Sequence, residues 1–147
     1  MNGSGASGTR RRAAYSRLIP TVALLVVAGV LTACAGPGAD QAGQVAESFG
    51  RLAKDDPGKA CDLLAVKTRE EVEKSSEKSC PDALGDEDLP DPSPVLSVDV
   101  YGKDAIVRMA NDTAFLARFP DGWRITAVSC RPGPGEGKPY DCDISGG

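Results

Sequence analysis

The chain has 147 residues, with 17 basic and 21 acidic side chains, five cysteines and no histidine. The lack of histidine excludes Ser-His-Asp and Cys-His catalysis and removes the commonest metal ligand of proteins. Four bases and no acids precede residue 34, so the remainder has 13 bases, 21 acids and a net charge of −8. That balance argues against nucleic acid as a partner, because nucleic-acid binding needs a basic footprint.

The first 34 residues follow the order basic, apolar, small, cysteine. Arginines at 10, 11, 12 and 17 precede an apolar run from Leu18 to Leu31, which leads into Leu31-Thr32-Ala33-Cys34. The run is shorter than the roughly 20 apolar residues of a membrane-spanning helix. A basic flank, a short apolar run and a small-residue cut site are typical of a signal peptide. The segment predicts export.

The four residues that end at Cys34 resemble the lipobox of bacterial lipoproteins. This resemblance implies cleavage before Cys34 and attachment of a diacylglyceryl group to its thiol, which would hold the protein on the extracytoplasmic face of the cell membrane. The alternative is an ordinary secretory signal with an Ala-x-Ala-like cut site. Thr9-Arg10-Arg11 resembles a twin-arginine signal, but the alanines at 13 and 14 replace its bulky apolar residues, which favours Sec export.

We therefore divide the chain into a signal peptide (1–33), a flexible tether (34–39) and a single small domain (40–147). At this size a hydrophobic core is modest, so covalent cross-links are useful. The odd count of five cysteines is explained if Cys34 takes the lipid. Four others remain for pairing, namely Cys61, Cys80, Cys130 and Cys142.

These four cysteines have spacings that favour disulfides. None has a partner two to four residues away, as structural zinc sites usually require, and no Cys-x-x-Cys redox motif exists. An exported protein also folds in an oxidising compartment. Of the three possible pairings we favour Cys61–Cys80 and Cys130–Cys142, because each closes a local loop.

Residues 40–84 have the patterns of short helices. Asp40 is the expected N-cap of a first helix that ends near Lys54, and Asp56-Pro57 begins a second whose buried side reaches Leu64. Thr68-Arg69-Glu70-Glu71 has the form of a capping box, which predicts a charged third helix to about Ser76. Ser79 is the expected cap of one further turn through Leu84. The acidic, proline-rich segment 85–94 is a predicted connector.

From Val95 the apolar period changes to two. It predicts strands at 95–101, 105–110, 113–119 and 123–130, joined by short turns as a four-stranded antiparallel meander. Residues 140–143 are a possible short extended edge. Leu96 is expected on the same face as Val98, and Leu116 on the face opposite to Phe115. The expected core residues of the sheet are Val98, Val100, Phe115, Trp123 and Ile125.

Helices followed by a meander predict an α+β domain, with the helices on the apolar face of the sheet. This layout resembles the cone-shaped fold of nuclear-transport-factor-2-like domains, which also occur in small exported lipoproteins. The segments 112–119, 121–125 and 139–143 are similar to a group of small bacterial lipoproteins of uncharacterised function. That resemblance implies no activity.

The sequence contains several acid pairs but no pattern that assigns them chemistry. The candidates are Asp55-Asp56, Glu70-Glu71, Asp86-Glu87-Asp88, Asp141 and Asp143, mostly in capping or turn contexts. Trp123 and Tyr140 could line a pocket, although a tryptophan after a turn is more typical of a core. We expect no catalytic residue, no cofactor and no metal. The leading hypothesis is a non-enzymatic domain that binds a protein or small ligand at the cell envelope. The alternative is a carboxylate-dependent hydrolase of an envelope substrate. A third option is a structural spacer without a specific ligand.

Overall fold

A computed structural model describes residues 36–135 and 137–146. The predicted signal peptide and Cys34 lie outside the described residues. The helices are α1 (Ala39–Asp55), α2 (Pro57–Cys61), α3 (Val66–Ser76) and α4 (Cys80–Asp86). The strands are β1 (Val95–Tyr101), β2 (Asp104–Met109), β3 (Thr113–Phe119), β4 (Gly122–Pro132) and β5 (Tyr140–Ser145).

The strands form one antiparallel sheet in the order β1-β2-β3-β4-β5. The α+β class is therefore confirmed, while the prediction of four strands is wrong. β5 pairs with β4 from Ala127↔Ser145 to Pro132↔Tyr140, so the segment expected as a short edge is a full fifth strand. Tyr140, Cys142 and Ile144 alternate with polar residues, and this pattern is the sequence signal that could have identified the strand.

Helix starts differ from the predicted ones at two places. α1 begins at Ala39 with Gly38 as N-cap, so Asp40 lies inside its first turn. α3 begins at Val66, and the predicted capping box is wrong: the Thr68 hydroxyl is buried and donates to the Thr126 carbonyl at 3.1 Å. By contrast, Asp56 caps α2 as predicted, with its side chain accepting from the Lys59 amide at 3.2 Å.

The second helix is shorter than predicted because the chain turns into the sheet. α2 ends at Cys61, and Leu64 forms a parallel bridge with Ile125. The Ala65 amide donates to the Ile125 carbonyl at 2.8 Å, and the Ile125 amide donates to the Leu63 carbonyl at 2.9 Å. These bonds fix the helical layer to the centre of β4.

A single hydrophobic core lies between the helices and one face of the sheet. Its largest fully buried side chains include Phe49 from α1, Leu84 from α4, and Val107, Leu116 and Ile125 from the sheet. Burial of each such side chain contributes about 1.5–3 kcal/mol relative to exposure. Trp123 is also in the core, whereas Val98 and Val100 are half-buried and pack against it.

The predicted face of Leu96 and the predicted core position of Phe115 are both wrong. In β1, both Val95 and Leu96 stand opposite Met109 because the register shifts before Ser97; this bulge turns Leu96 outward, and its exposure is 68%. In β3, Leu116 pairs with Ala105 and faces the core. Phe115 lies on the opposite face, where its ring meets that of Tyr140 edge-on at 5.0 Å.

Both disulfides have the favoured pairing. Cys61–Cys80 joins α2 to the start of α4, and Cys130–Cys142 joins directly paired residues of β4 and β5. The first fixes the helices to one another. The second holds the edge strand that follows the glycine-rich loop.

Candidate functional site

The candidate carboxylates of the sequence analysis do not converge. Asp56 is a helix cap, Asp55 and the pair at 70–71 are exposed on helices, and residues 86–88 are exposed at the end of α4 and after it. Asp143 accepts from the Arg131 guanidinium at 2.8 and 3.1 Å. Asp141 is exposed on β5, so each candidate has a structural or solvated position rather than a shared site.

The acid with an unusual environment is Asp112, which is not among the candidates predicted from the sequence. It lies in the turn between β2 and β3 and lines a small cavity below the connector, with Phe49, Met109 and Val128 among its neighbours. Burial raises the pKa of the Asp112 carboxyl, while the Ser129 backbone amide and the Arg131 charge act in the opposite direction. Its turn gave no sequence signal, because the burial depends on residues that are distant in the sequence, including Phe49 and Val128.

The cavity beside Asp112 is too small for a substrate. Its volume is about 20 Å³, which is enough for about one water molecule. Glu47 and Asp91 also line it, but the first pairs with Arg51 at 2.7 Å and the second with Lys54. A hydrolytic acid–base pair needs two free carboxylates around an open space, and this geometry does not supply one.

The larger concave surface lies between α1 and the edge strand β1, and we call it the α1/β1 groove. Its volume is about 660 Å³, and its walls come from residues 39–47 of α1 and 95–99 of β1. Gly43 forms the floor, since a Cβ at that position would be 3.4 Å from Cγ2 of Val98. The missing side chain lets α1 approach β1 closely and leaves the groove beside the contact.

β1 has only one strand neighbour in the part of the chain that the structure describes. It pairs with β2 from Val95 to Tyr101, so the backbone groups on its other side point toward the α1/β1 groove and solvent. A sheet edge of this kind can accept a further strand. The exposed Leu96 side chain adds an apolar contact beside it.

The groove is acidic. Asp40 and Glu47 lie on its α1 wall, and Asp99 lies on its β1 wall. Glu47 is paired with Arg51 and Asp99 with Arg108, whereas the Asp40 side chain is exposed at the first turn of α1. The electrostatics favour a neutral or basic ligand segment over an acidic one.

No family model, curated protein or solved structure matches the chain.

The two aromatic candidates have structural positions. Trp123 has an exposure of 2%, and the Arg118 guanidinium lies 5.3 Å from the ring centroid. Tyr140 packs on Phe115 at the outer face of the sheet. Neither lines the α1/β1 groove.

Two further findings concern metals and membranes. Within residues 36–135 and 137–146, no three acidic or cysteine side chains are grouped as metal ligands would be. No helix of those same residues has the length and apolar character to cross a membrane.

Proposed function

We propose that the chain is an exported lipoprotein, anchored through Cys34, whose domain binds an extended segment of another envelope protein. The observation that supports binding is the α1/β1 groove: an open volume of about 660 Å³ beside a sheet edge with exposed Leu96. An extended segment placed there would pair its backbone with β1 and lay an apolar side chain against Leu96. The likeness to the cone-shaped fold stays a prediction.

The bulge near Val95 has a consequence for this mode of binding. Bulges disrupt regular pairing along an edge and limit uncontrolled strand addition. Pairing would therefore be confined to the regular part of β1, from Ser97 to Tyr101. A short segment of about five residues fits that length, which favours a specific peptide over a second sheet.

The hydrolase alternative has one supporting observation, the raised pKa of Asp112. A perturbed carboxyl in a cleft is a common property of catalytic acids. Here the cleft holds about one water and the neighbouring acids are paired with bases, so binding is the better supported function.

A photoreactive amino acid at position 96 tests the groove in intact membranes. We expect it to form a covalent adduct whose partner peptide maps to a single extended segment. The matched control is the same amino acid at Lys74, an exposed position on α3. Equal adducts at both positions, or none at position 96, would contradict the proposal.

Leu96→Asp tests the same site without a cross-linker. The side chain is exposed, so we expect the free energy of unfolding to change by no more than about 0.5 kcal/mol. The adduct formed from a photoreactive residue at Ser97 should nevertheless disappear. An adduct that persists in the folded variant would remove Leu96 from the site.

A further inference from the structure

We propose that one end of the domain rests on the surface of a membrane that contains anionic lipid. We call it the anchor-proximal end and define it by Val66, Lys67, Tyr101, Lys103, Arg118 and Phe119. The inference rests on the proposed attachment of Cys34. It adds a second contact with the membrane and a fixed orientation of the domain, neither of which follows from the lipid alone.

The start of the described chain lies against this end. A Cβ on Gly36 would lie 3.1 Å from the Val100 Cβ, and one on Gly38 would lie 2.9 Å from Nη2 of Arg118. Gly38 also has a φ of 88°, which only glycine adopts easily. Residues 36 and 38 are therefore held on β1 and β3, at the ends of those strands.

Cys34 is only two residues before Gly36. Because an extended chain spans at most about 3.6 Å per residue, the Cys34 Cα can be no more than about 7 Å from the Gly36 Cα. A lipid on Cys34 therefore holds the anchor-proximal end close to the bilayer surface.

Three parts of the chain meet at this end. In an antiparallel meander the β1–β2 and β3–β4 turns lie at the same end of the strands. The Arg118 amide donates to the Lys103 carbonyl at 2.7 Å, which joins the two turns directly. Phe119 shares a hollow of about 260 Å³ with Val66 and Lys67, so the first turn of α3 also belongs here.

The exposed side chains at this end suit a lipid–water interface. Val66, Tyr101 and Phe119 have exposures of 72%, 60% and 41%, and they lie among the bases Lys67, Lys103 and Arg118. Aromatic rings favour the headgroup region, and each base near an anionic surface adds attraction. Of the neighbouring acids, Asp121 pairs with Arg124 at 2.6 Å, and Asp40 and Asp104 are exposed.

The opposite end of the sheet has more acids than bases, and Lys54 pairs with one of the acids, Asp91. Asp91 lies there beside Asn111, whose side-chain amide donates to the Asp91 backbone carbonyl at 3.2 Å. Asp112 and Asp141 lie near the same end of the strands. Repulsion from anionic lipid therefore turns this end away from the bilayer. When the anchor-proximal end faces the bilayer, the α1/β1 groove lies on a side of the domain that does not face the membrane, so it stays open to a partner.

Lysine acylation on vesicles measures this orientation. The intact lipidated protein is placed in vesicles of equal parts phosphatidylglycerol and phosphatidylcholine, or of phosphatidylcholine alone, and reacted briefly with an amine-acylating reagent. Mass spectrometry then gives the modification rate of each lysine. We expect the rate at Lys103, relative to that at Lys138 in the distal loop, to fall about fivefold in the anionic vesicles.

A matched pair of variants assigns the effect to the anchor-proximal end. Lys103→Gln should reduce the protection of Lys67 about fivefold, and Lys138→Gln, the same change in the distal loop, should leave it unaltered. A ratio of Lys103 to Lys138 modification that is the same in both kinds of vesicle, in protein that floats with them, overturns the orientation but leaves the anchor intact. Protein that does not float, with an unmodified Cys34, overturns the anchor and with it this inference.

Discussion

Trp123 lies where α1 begins, and its position explains how the first residues of the domain are held. The Arg118 guanidinium covers the ring, and a Cβ on Gly38 would lie 3.1 Å from the indole Nε1. The indole is therefore enclosed by the Arg118 side chain, the start of α1 and the sheet. A tryptophan in this position contributes through its buried area and its contact with a cation.

We predict that Trp123→Ala lowers the free energy of unfolding by about 3–5 kcal/mol, because it removes a buried ring and leaves a cavity. Chemical denaturation of the two proteins measures the difference. Trp123→Phe keeps most of the apolar area and should lose clearly less. An unchanged midpoint for the alanine variant would mean that the ring does not belong to the core.

Asp112 gives a pH-dependent prediction. Its pKa is raised, chiefly by burial, so the folded state binds its proton more tightly than the unfolded state does. Protonation of Asp112 therefore adds to the free energy of unfolding below the ordinary pKa of the group. This addition is lost as the pH rises through the raised pKa. Asp112→Asn has no such loss, so the variant should gain stability over the wild type as the pH rises from about 3 to 7.

Asp91→Asn is the matched control with the opposite sign. A hydrogen bond from Lys54 holds the pKa of Asp91 below its ordinary range. The ionised Asp91 carboxylate therefore adds to the free energy of unfolding above its ordinary pKa. This addition is lost as the pH falls through the lowered pKa. The control should therefore be less stable than the wild type at neutral pH and approach it in acid. Parallel pH curves for the two variants would contradict both assignments.

At the scale of elements, the sequence predicted which segments are helices or strands better than it predicted which side chains of a strand face the core. A set of short helices, the approximate positions of β1–β4 and both disulfides follow from turn signals, alternation and cysteine spacing, whereas two of the predicted helix starts were wrong. The faces of Leu96 and Phe115 do not, because a bulge shifts the phase of β1 and because β3 has apolar residues on both faces. The α1/β1 groove was equally invisible, since it depends on the outward turn of Leu96 and on the packing of Gly43.

The disulfide between β4 and β5 has a local role that can be tested. Cys130→Ser with Cys142→Ser should cost about 3 kcal/mol, since the bond closes a short loop of the unfolded chain. β5 is an edge strand after a glycine-rich loop, so its amides should exchange with solvent first. Hydrogen exchange of the double variant measures this. The double Cys61→Ser and Cys80→Ser variant should instead loosen α4 and leave β5 protected.

At the scale of the whole molecule, the charge distribution and the proposed anchor act together. The part of the chain from residue 34 has a net charge of −8, so an anionic membrane repels it on average. At the anchor-proximal end the three bases outnumber the exposed acids Asp40 and Asp104 and so weaken that repulsion locally. A diacylglyceryl group would provide the attachment, and the uneven charge would select the orientation.

Cys34→Ser tests the anchor on which this arrangement depends. The substitution keeps a small polar side chain but removes the sulfur nucleophile that would receive the diacylglyceryl group. We expect lipidation and the cut before residue 34 to fail together, so that the uncut precursor stays attached to the membrane by its signal segment. Two acyl chains give stable attachment, since each buried methylene contributes about 0.8 kcal/mol, whereas one chain binds reversibly.

Mass spectrometry of the membrane fraction distinguishes the outcomes of this substitution. The wild-type N-terminal peptide should begin at Cys34 and carry the added mass of the lipid, while the serine variant should retain its first 33 residues. Ser16→Ala, a change of similar size within the leader, should be processed normally and serves as the control. A mature wild-type protein that begins elsewhere, or one with an unmodified Cys34, would contradict the anchor.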